Sequence, residues 1–215
     1  MPQPFAQSRY QVRFEWGTEG LDRLAPADIV VVIDVLMFST AMTDAAARGI
    51  AVGFDDDAVT GSANGAPVAA RAAESDALVL IGCLRNASAV AEAVLVEQRR
   101  RGERTSISLI AAGERDPAGV RFAIEDLLAA GAIGDALSLR GVDHTSPEAA
   151  LAIEAFRGLR GALRHLLTAG GTGQRLIAKN ERGRVVSATT LDDLDVVPVR
   201  MDDGFRALGA GTADV

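Results

Sequence analysis

Residues 28–40 read Asp-Ile-Val-Val-Val-Ile-Asp-Val-Leu-Met-Phe-Ser-Thr. The run Ile29 to Ile33 has no polar position, so it cannot alternate between a wet face and a dry one. It predicts a strand buried on both faces, the pattern of a parallel sheet covered by helices. Asp34 follows at the end of the run, where a charge is costly to bury without a partner. Ser39 and Thr40 then open an Ala-rich helical stretch. A strand ending in a carboxylate, a short turn and a helix opened by hydroxyls is where open α/β sheets gather ligands. Asp34 suits plain turn capping equally well, and the local pattern leaves both readings open.

The same theme recurs downstream. Residues 77–83 and 106–112 read as two more buried strands, each set off by helical stretches. This alternation predicts a layered α/β/α fold with a largely parallel sheet, built as a single domain over residues 1–215. Residues 10–16 alternate and predict a half-exposed strand at an edge. Shorter strands are expected at 50–54, 185–188 and 196–199. Helices are expected at 39–48, closed by Gly49, and at 64–74, with Pro67 in the first turn. A long helix ends at Arg99-Arg100-Arg101, where cations complement the helix dipole. Two helices are expected at 122–130 and 133–139, and two peripheral ones at 147–156 and 160–168.

Composition narrows the function. A formal net charge of −7 argues against nucleic acid as a partner, which needs a basic footprint. The single cysteine, Cys83, excludes an internal disulfide and a cysteine zinc cluster, and reads as a small buried hydrophobe. No apolar signal-peptide core and no membrane-length apolar run is present, which predicts a cytoplasmic protein without a membrane partner. A homo-oligomer is left open. Asp55-Asp56-Asp57 reads as a solvated acidic turn, since it lacks the spacing of a calcium loop. His144 and His165 fall outside any metal-ligand spacing. Gly170-Gly171-Thr172-Gly173 lacks the lysine of a phosphate loop and reads as a flexible loop before a helix.

If the three buried strands are parallel, Asp34, Cys83 with Arg85 and Asn86, and Glu114 all reach one edge of the sheet. Helix N-termini point to that edge and offer free N–H groups to an anion. Gly82, Asn86 and Ser88 supply donors for a phosphate, and Arg85 a charge-assisted pair. Asn86 also reads as a helix N-cap, Arg85 as the partner of a surface acid, and Glu125 and Asp126 as first-turn dipole partners. Asp34, Glu114 and a carboxylate from Glu125 or Asp126 suit one hard cation, Mg²⁺ by preference, because it pairs one or two carboxylates with a substrate phosphate.

Several segments together resemble the 2-phosphosulfolactate phosphatases of coenzyme M biosynthesis and their bacterial relatives. They are Val-Ile-Asp-Val-Leu-x-x-Ser-Thr at 32–40, Asn-Gly at 64–65 and Gly-Cys-Leu-Arg-Asn-Ala-Ser-Ala-Val-Ala at 82–91. Ala-Ala-Gly-Glu at 111–114, Ile-Glu-Asp-Leu-Leu-Ala-Ala-Gly-Ala-Ile at 124–133 and the stretches at 173–176 and 197–198 complete the ordered set. The resemblance implies a Mg²⁺-dependent phosphatase acting on (R)-2-phospho-3-sulfolactate or a related small phosphorylated hydroxy acid. It places Asp34 and Glu114 as catalytic residues and Asp34, Glu125 and Asp126 at the metal, with Asp34 either a metal ligand or a nucleophile that forms an acyl phosphate. Ser39, Thr40, Asn64, Gly65, Arg85 and Asn86 would bind substrate. The chain departs from the family at Met37-Phe38, where the family carries an arginine and a small residue, and in a shortened 49–64 segment. Two other readings stand beside this one. A haloacid dehalogenase-type phosphatase would need a second Asp where this chain has Leu36. A catalytically degenerate member would bind a phosphorylated metabolite without turnover.

Overall fold

The computed structural model describes residues 3–208. The strands are β1 (Val12–Trp16), β2 (Ile29–Ile33), β3 (Val52–Gly53), β4 (Leu78–Gly82), β5 (Ile107–Ala111), β6 (Glu114–Asp116), β7 (Gly119–Arg121), β8 (Pro198–Met201) and β9 (Gly204–Ala207). The helices are α1 (Gly17–Arg23), α2 (Phe38–Ala47), α3 (Asp57–Thr60), α4 (Gly65–Ala72), α5 (Ala87–Arg101), α6 (Ile124–Ser138), α7 (Pro147–Leu159), α8 (Leu163–Ala169), α9 (Gly171–Ala178) and α10 (Arg182–Ser187).

A seven-stranded sheet runs in the order β1-β5-β2-β4-β8-β9-β3. β1, β5, β2 and β4 are parallel, and β8, β9 and β3 extend the sheet antiparallel. The β2 stretch lies at the centre, as its continuous apolar run requires. Ile29, Val31 and Ile33 enter one core with α5 and α6, while Val30 and Val32 enter the other with α2 and α4. Burial on both faces therefore comes from helices on both sides of one strand.

The register brings three strand ends level. Ile33 pairs with Gly82 of β4 and with Ala111 of β5, so Asp34, Cys83 and Ala112 leave the sheet along one edge. After β2 the chain turns to α2 on one face; after β5 it reaches α6 on the other. Adjacent parallel strands whose following helices diverge leave a crevice between their carboxyl ends.

Several expectations need correction. β1 is an edge strand, but Val12, Arg13 and Phe14 are buried. A bridge from Val12 to Thr145 covers the edge, and the Arg13 guanidinium donates to the carbonyls of Tyr10, Ala25 and Pro26. Residues 185–188 lie in and just after α10 rather than in a strand; Val185 and Ala188, three apart, both face the core at helical spacing. The sheet is completed instead by the hairpin β8–β9. Residues 114–121 form a second, two-stranded sheet in which β6 and β7 pair antiparallel. The two helices expected at 122–130 and 133–139 are one, α6.

Nor is α7 peripheral. It packs so closely on α6 that a Cβ on Gly131 would stand 2.1 Å from the Ala152 carbonyl oxygen. A backbone carbonyl inside a helix cannot retreat as a side chain does. Gly131→Ala is therefore expected to lower the unfolding free energy by about 1–3 kcal/mol, read as a reduced urea midpoint with an unchanged slope.

Candidate active site

Three acidic side chains are buried at the crevice: Asp34 is 4% exposed, Glu125 3% and Asp126 2%. Glu114, at the start of β6, is half-buried beside them. The helices explain how the fold tolerates these charges. α2, α4, α6 and α9 all begin here, and first-turn N–H groups have no partner within their own helix. The Gly65 N–H at the start of α4 donates to Asp34 Oδ2 at 2.7 Å, and the Phe38 N–H of α2 also faces the Asp34 carboxylate. Gly65 must lack a side chain, because a Cβ there would lie 2.7 Å from Asp34 Oδ2.

Asp126 does different work from Asp34. Its Oδ1 accepts the Val35 N–H at 2.8 Å and its Oδ2 the Gly113 N–H at 2.9 Å. One carboxylate thus ties the exit of β2 to the exit of β5. Both oxygens of Asp126, expected at the metal, hold the frame of the crevice. Among the described residues, no group of three His, Cys, Asp or Glu side chains is arranged to hold a metal ion.

The pKa directions follow from burial and crowding. Asp34 is raised from its ordinary 3.8 to about 7, first by burial, then by the charges of Glu114 and Glu125; the Gly65 and Phe38 amides oppose the shift. Glu125 is raised mainly by burial. Asp126 is pushed well above the carboxylate range by burial, then by Asp34 and Glu125. Where burial and like charges both act, ionisation is disfavoured.

Sequence reasoning missed two members of the site. Thr172 Oγ1 donates to Glu114 Oε1 at 2.6 Å, and Arg175 Nη2 meets the same oxygen at 2.7 Å. Both belong to α9. The 170–173 segment is the packed start of that helix, not a flexible loop; a Cβ on Gly173 would lie 1.8 Å from the Leu167 carbonyl oxygen. The available signal was a Gly-x-Gly run followed by Arg175, which has meaning only once α9 is docked on the crevice.

The expected substrate donors are mostly engaged by the protein itself. Ser39 Oγ accepts the Asp34 N–H at 2.8 Å, and Thr40 Oγ1 donates to the Val35 carbonyl at 2.8 Å, so both hydroxyls shape the turn after β2. Asn64 Oδ1 accepts the Arg115 N–H at 3.0 Å, anchoring the β6–β7 hairpin. Arg85 is placed away from the carboxylates: it grips Asp193 through two hydrogen bonds of 2.9 and 2.8 Å and also pairs with Asp44. Asn86 is fully buried; its Oδ1 accepts the Cys83 N–H and its Nδ2 donates to the Ile81 and Val196 carbonyls. The anion place expected at the start of α5 is filled by Asp192, whose oxygens accept from the Ser88 N–H at 2.6 Å and the Ser88 hydroxyl at 2.9 Å. Arg85 and Asn86 are therefore structural residues, because the chain's own acids and carbonyls occupy the partners a phosphate would need.

Two clefts lie apart from the carboxylates. One of about 610 Å³ runs past Met37, Thr40, Arg48 and Arg184; another of about 1010 Å³ runs between α5 and β8. The buried acids instead lie in their own crevice, whose margin carries the half-buried Glu114 and the exposed Arg175.

An α/β sheet with acids gathered at the carboxyl ends of β2 and β5 defines a class of crevice-site protein. The sequence matches the family described as 2-phosphosulpholactate phosphatase over residues 54–203, and the chain belongs to that family. The matched segment includes Asn64, Glu114, Glu125, Asp126 and Arg175; Asp34 precedes it and joins the same site through Gly65. No curated protein matches the chain. Among the described residues, no helix is long and apolar enough to cross a membrane.

Two outcomes test this geometry. Between about pH 4 and pH 7 the folded chain keeps a proton on Asp34 that the unfolded chain has lost. With divalent cations removed, stability should therefore fall as pH rises through that window and level off above it. Asp34→Asn should flatten part of that slope in thermal-denaturation profiles. Asp192→Ala leaves the start of α5 uncapped and should lower stability by about 1–2 kcal/mol, while leaving any ligand response of the crevice unchanged.

Proposed function

We propose that the protein is a Mg²⁺-dependent phosphatase hydrolysing (R)-2-phospho-3-sulfolactate, or a related small phosphorylated hydroxy acid, to the hydroxy acid and phosphate. Family membership supplies the reaction class. The observation that carries the reading is the Asp34 carboxylate, held at the end of β2 in the field of Glu114 and Glu125 with its pKa raised to about 7. A chain without a ligand to receive has no evident use for that repulsion.

The donor set fits a magnesium ion. Asp34 and Glu125 offer hard oxygens from two carboxylates, and Mg²⁺ commonly takes one or two, leaving other positions to water and substrate. When bound, the ion would neutralise charge between these carboxylates and the phosphoryl group. Gly65 and Phe38 fix the Asp34 carboxylate through their N–H groups. Thr172 and Arg175 hold Glu114, the carboxylate most open to water. Glu114 would take a proton from the attacking water as its oxygen bonds to phosphorus. The ester P–O bond then breaks, the leaving oxygen takes a proton from solvent, and Glu114 gives its own proton back to solvent.

The second reading, a member that binds without turnover, draws on Ser39, Thr40, Arg85 and Asn86 being engaged inside the fold. Phosphate release decides between them. Wild-type protein with Mg²⁺ should release phosphate from small phosphorylated hydroxy acids, and EDTA should stop it. Asp34→Asn should lower kcat/KM at least about 10³-fold, the scale of losing a principal charge-stabilising group. Near-normal activity in that variant would remove Asp34 from the mechanism. Saturable thermal stabilisation by a phosphorylated acid, with no phosphate released, would favour the binder.

A further inference from the structure

The crevice contains more cationic chemistry than the phosphatase reading uses. Glu114 and Arg121 are cross-strand partners in the β6–β7 hairpin. Arg121 reaches α9, where its Nη1 lies 3.3 Å from the position a Cβ on Gly171 would take. Arg175 stands four residues after Gly171, hence on the same side of that helix, with its guanidinium on Glu114. Both guanidinium groups therefore flank the first turn of α9, beside the half-buried edge of the site.

They differ in occupation. Arg175 is paired with Glu114, and its side chain is 55% exposed. Arg121 is exposed and makes no salt bridge or side-chain hydrogen bond with the described residues. An exposed ion pair is easily exchanged for another anion. Guanidinium groups match the planar or tripodal oxygens of carboxylates and sulfonates through paired N–H donors. The buried acids Asp34 and Glu125 suit a cation and a phosphoryl group, but would repel a second anionic group on the same small substrate. That group needs a positive neighbour at the exposed margin.

We infer that Arg121 and Arg175 form a clamp for the acidic group that stays on the product, with Arg175 turning from Glu114 to the ligand as it binds. The catalytic part of this inference rests on the phosphatase reading; the binding part does not. Both side chains act as specificity residues, selecting phosphorylated acids over simple phosphate esters.

The test uses the full chain with Mg²⁺ and two probes, 3-sulfolactate and inorganic phosphate, followed by calorimetry. Arg121→Gln and Arg175→Gln should each weaken 3-sulfolactate at least tenfold and leave phosphate within about twofold. Arg175→Lys, which keeps the charge but not the fork, should recover only part of the loss. In turnover, Arg121→Gln should raise KM for a phosphorylated acid tenfold or more with kcat nearly unchanged, and leave p-nitrophenyl phosphate hydrolysis as it was. Equal losses for both probes, an unchanged 3-sulfolactate affinity, or no saturable 3-sulfolactate binding by the wild type would each overturn the clamp. A wild type that binds 3-sulfolactate with the expected contrast but releases no phosphate would instead overturn the phosphatase reading alone.

Discussion

The crevice depends on the two hydrogen bonds that Asp126 accepts. Val35 and Gly113 each follow a central strand, and each presents an N–H in a region from which water is excluded. A buried amide without a partner costs free energy comparable to a lost hydrogen bond. One carboxylate answers both and thereby fixes the distance between the exits of β2 and β5. Everything at the site is measured from those exits: Asp34 leaves one, and Glu114 stands just past the other. The same α6 turn that carries Asp126 brings Glu125 in alongside it, so the staple and the candidate ligand arrive together.

The remaining half of the sheet edge is closed by the protein's own charges. Asp192 occupies the start of α5, and Asp193 with Asp44 surrounds Arg85. Helix N-termini attract anions wherever they are exposed, and a chain with several at one edge must decide which remain free. Here the segment just ahead of β8 seals the β4 side, while on the β2–β5 side Asp34, Glu125 and Asp126 make no salt bridge with the described residues. The edge is thus divided into a structural half and a chemical half by where the chain places its spare carboxylates.

How far the amino-acid order reveals this follows from the range of each interaction. The central strands were legible because Ile29–Ile33, Leu78–Gly82 and Ile107–Ala111 lie within runs that are apolar but for Ser108, a signal contained in a few neighbouring residues. Asp34, Glu114, Glu125 and Asp126 were legible as a group because parallel strands and the helix after them must deliver their ends together. What each carboxylate does was not. Asp126 reads like Glu125 one position earlier, and only the amides of Val35 and Gly113 separate a staple from a candidate ligand. Arg85 and Asn86 failed as phosphate donors because their partners come from residues 192–196, more than a hundred positions away. Val185 to Ala188 deceived by composition: β-branched residues suit strands, but burial at a spacing of three made them helical.

The fold's own needs do not account for all the buried charge. Asp126 satisfies two amides and so returns stability for the burial of its charge. Asp34 receives N–H groups from Gly65 and Phe38, yet its pKa stays well above the ordinary carboxylate value, so those bonds do not offset burial and the repulsion of Glu114 and Glu125. Glu125 is in the same position, with its own backbone N–H and the Thr172 hydroxyl opposing the shift. An apolar or amide side chain at either place would relieve the repulsion without opening the crevice, because the Asp126 staple does not pass through them. Residues held against the interests of folding, at the carboxyl ends of the central strands, are where stability is given up for function. That argument singles out Asp34 and Glu125 from a cluster in which every carboxylate looks alike in the sequence.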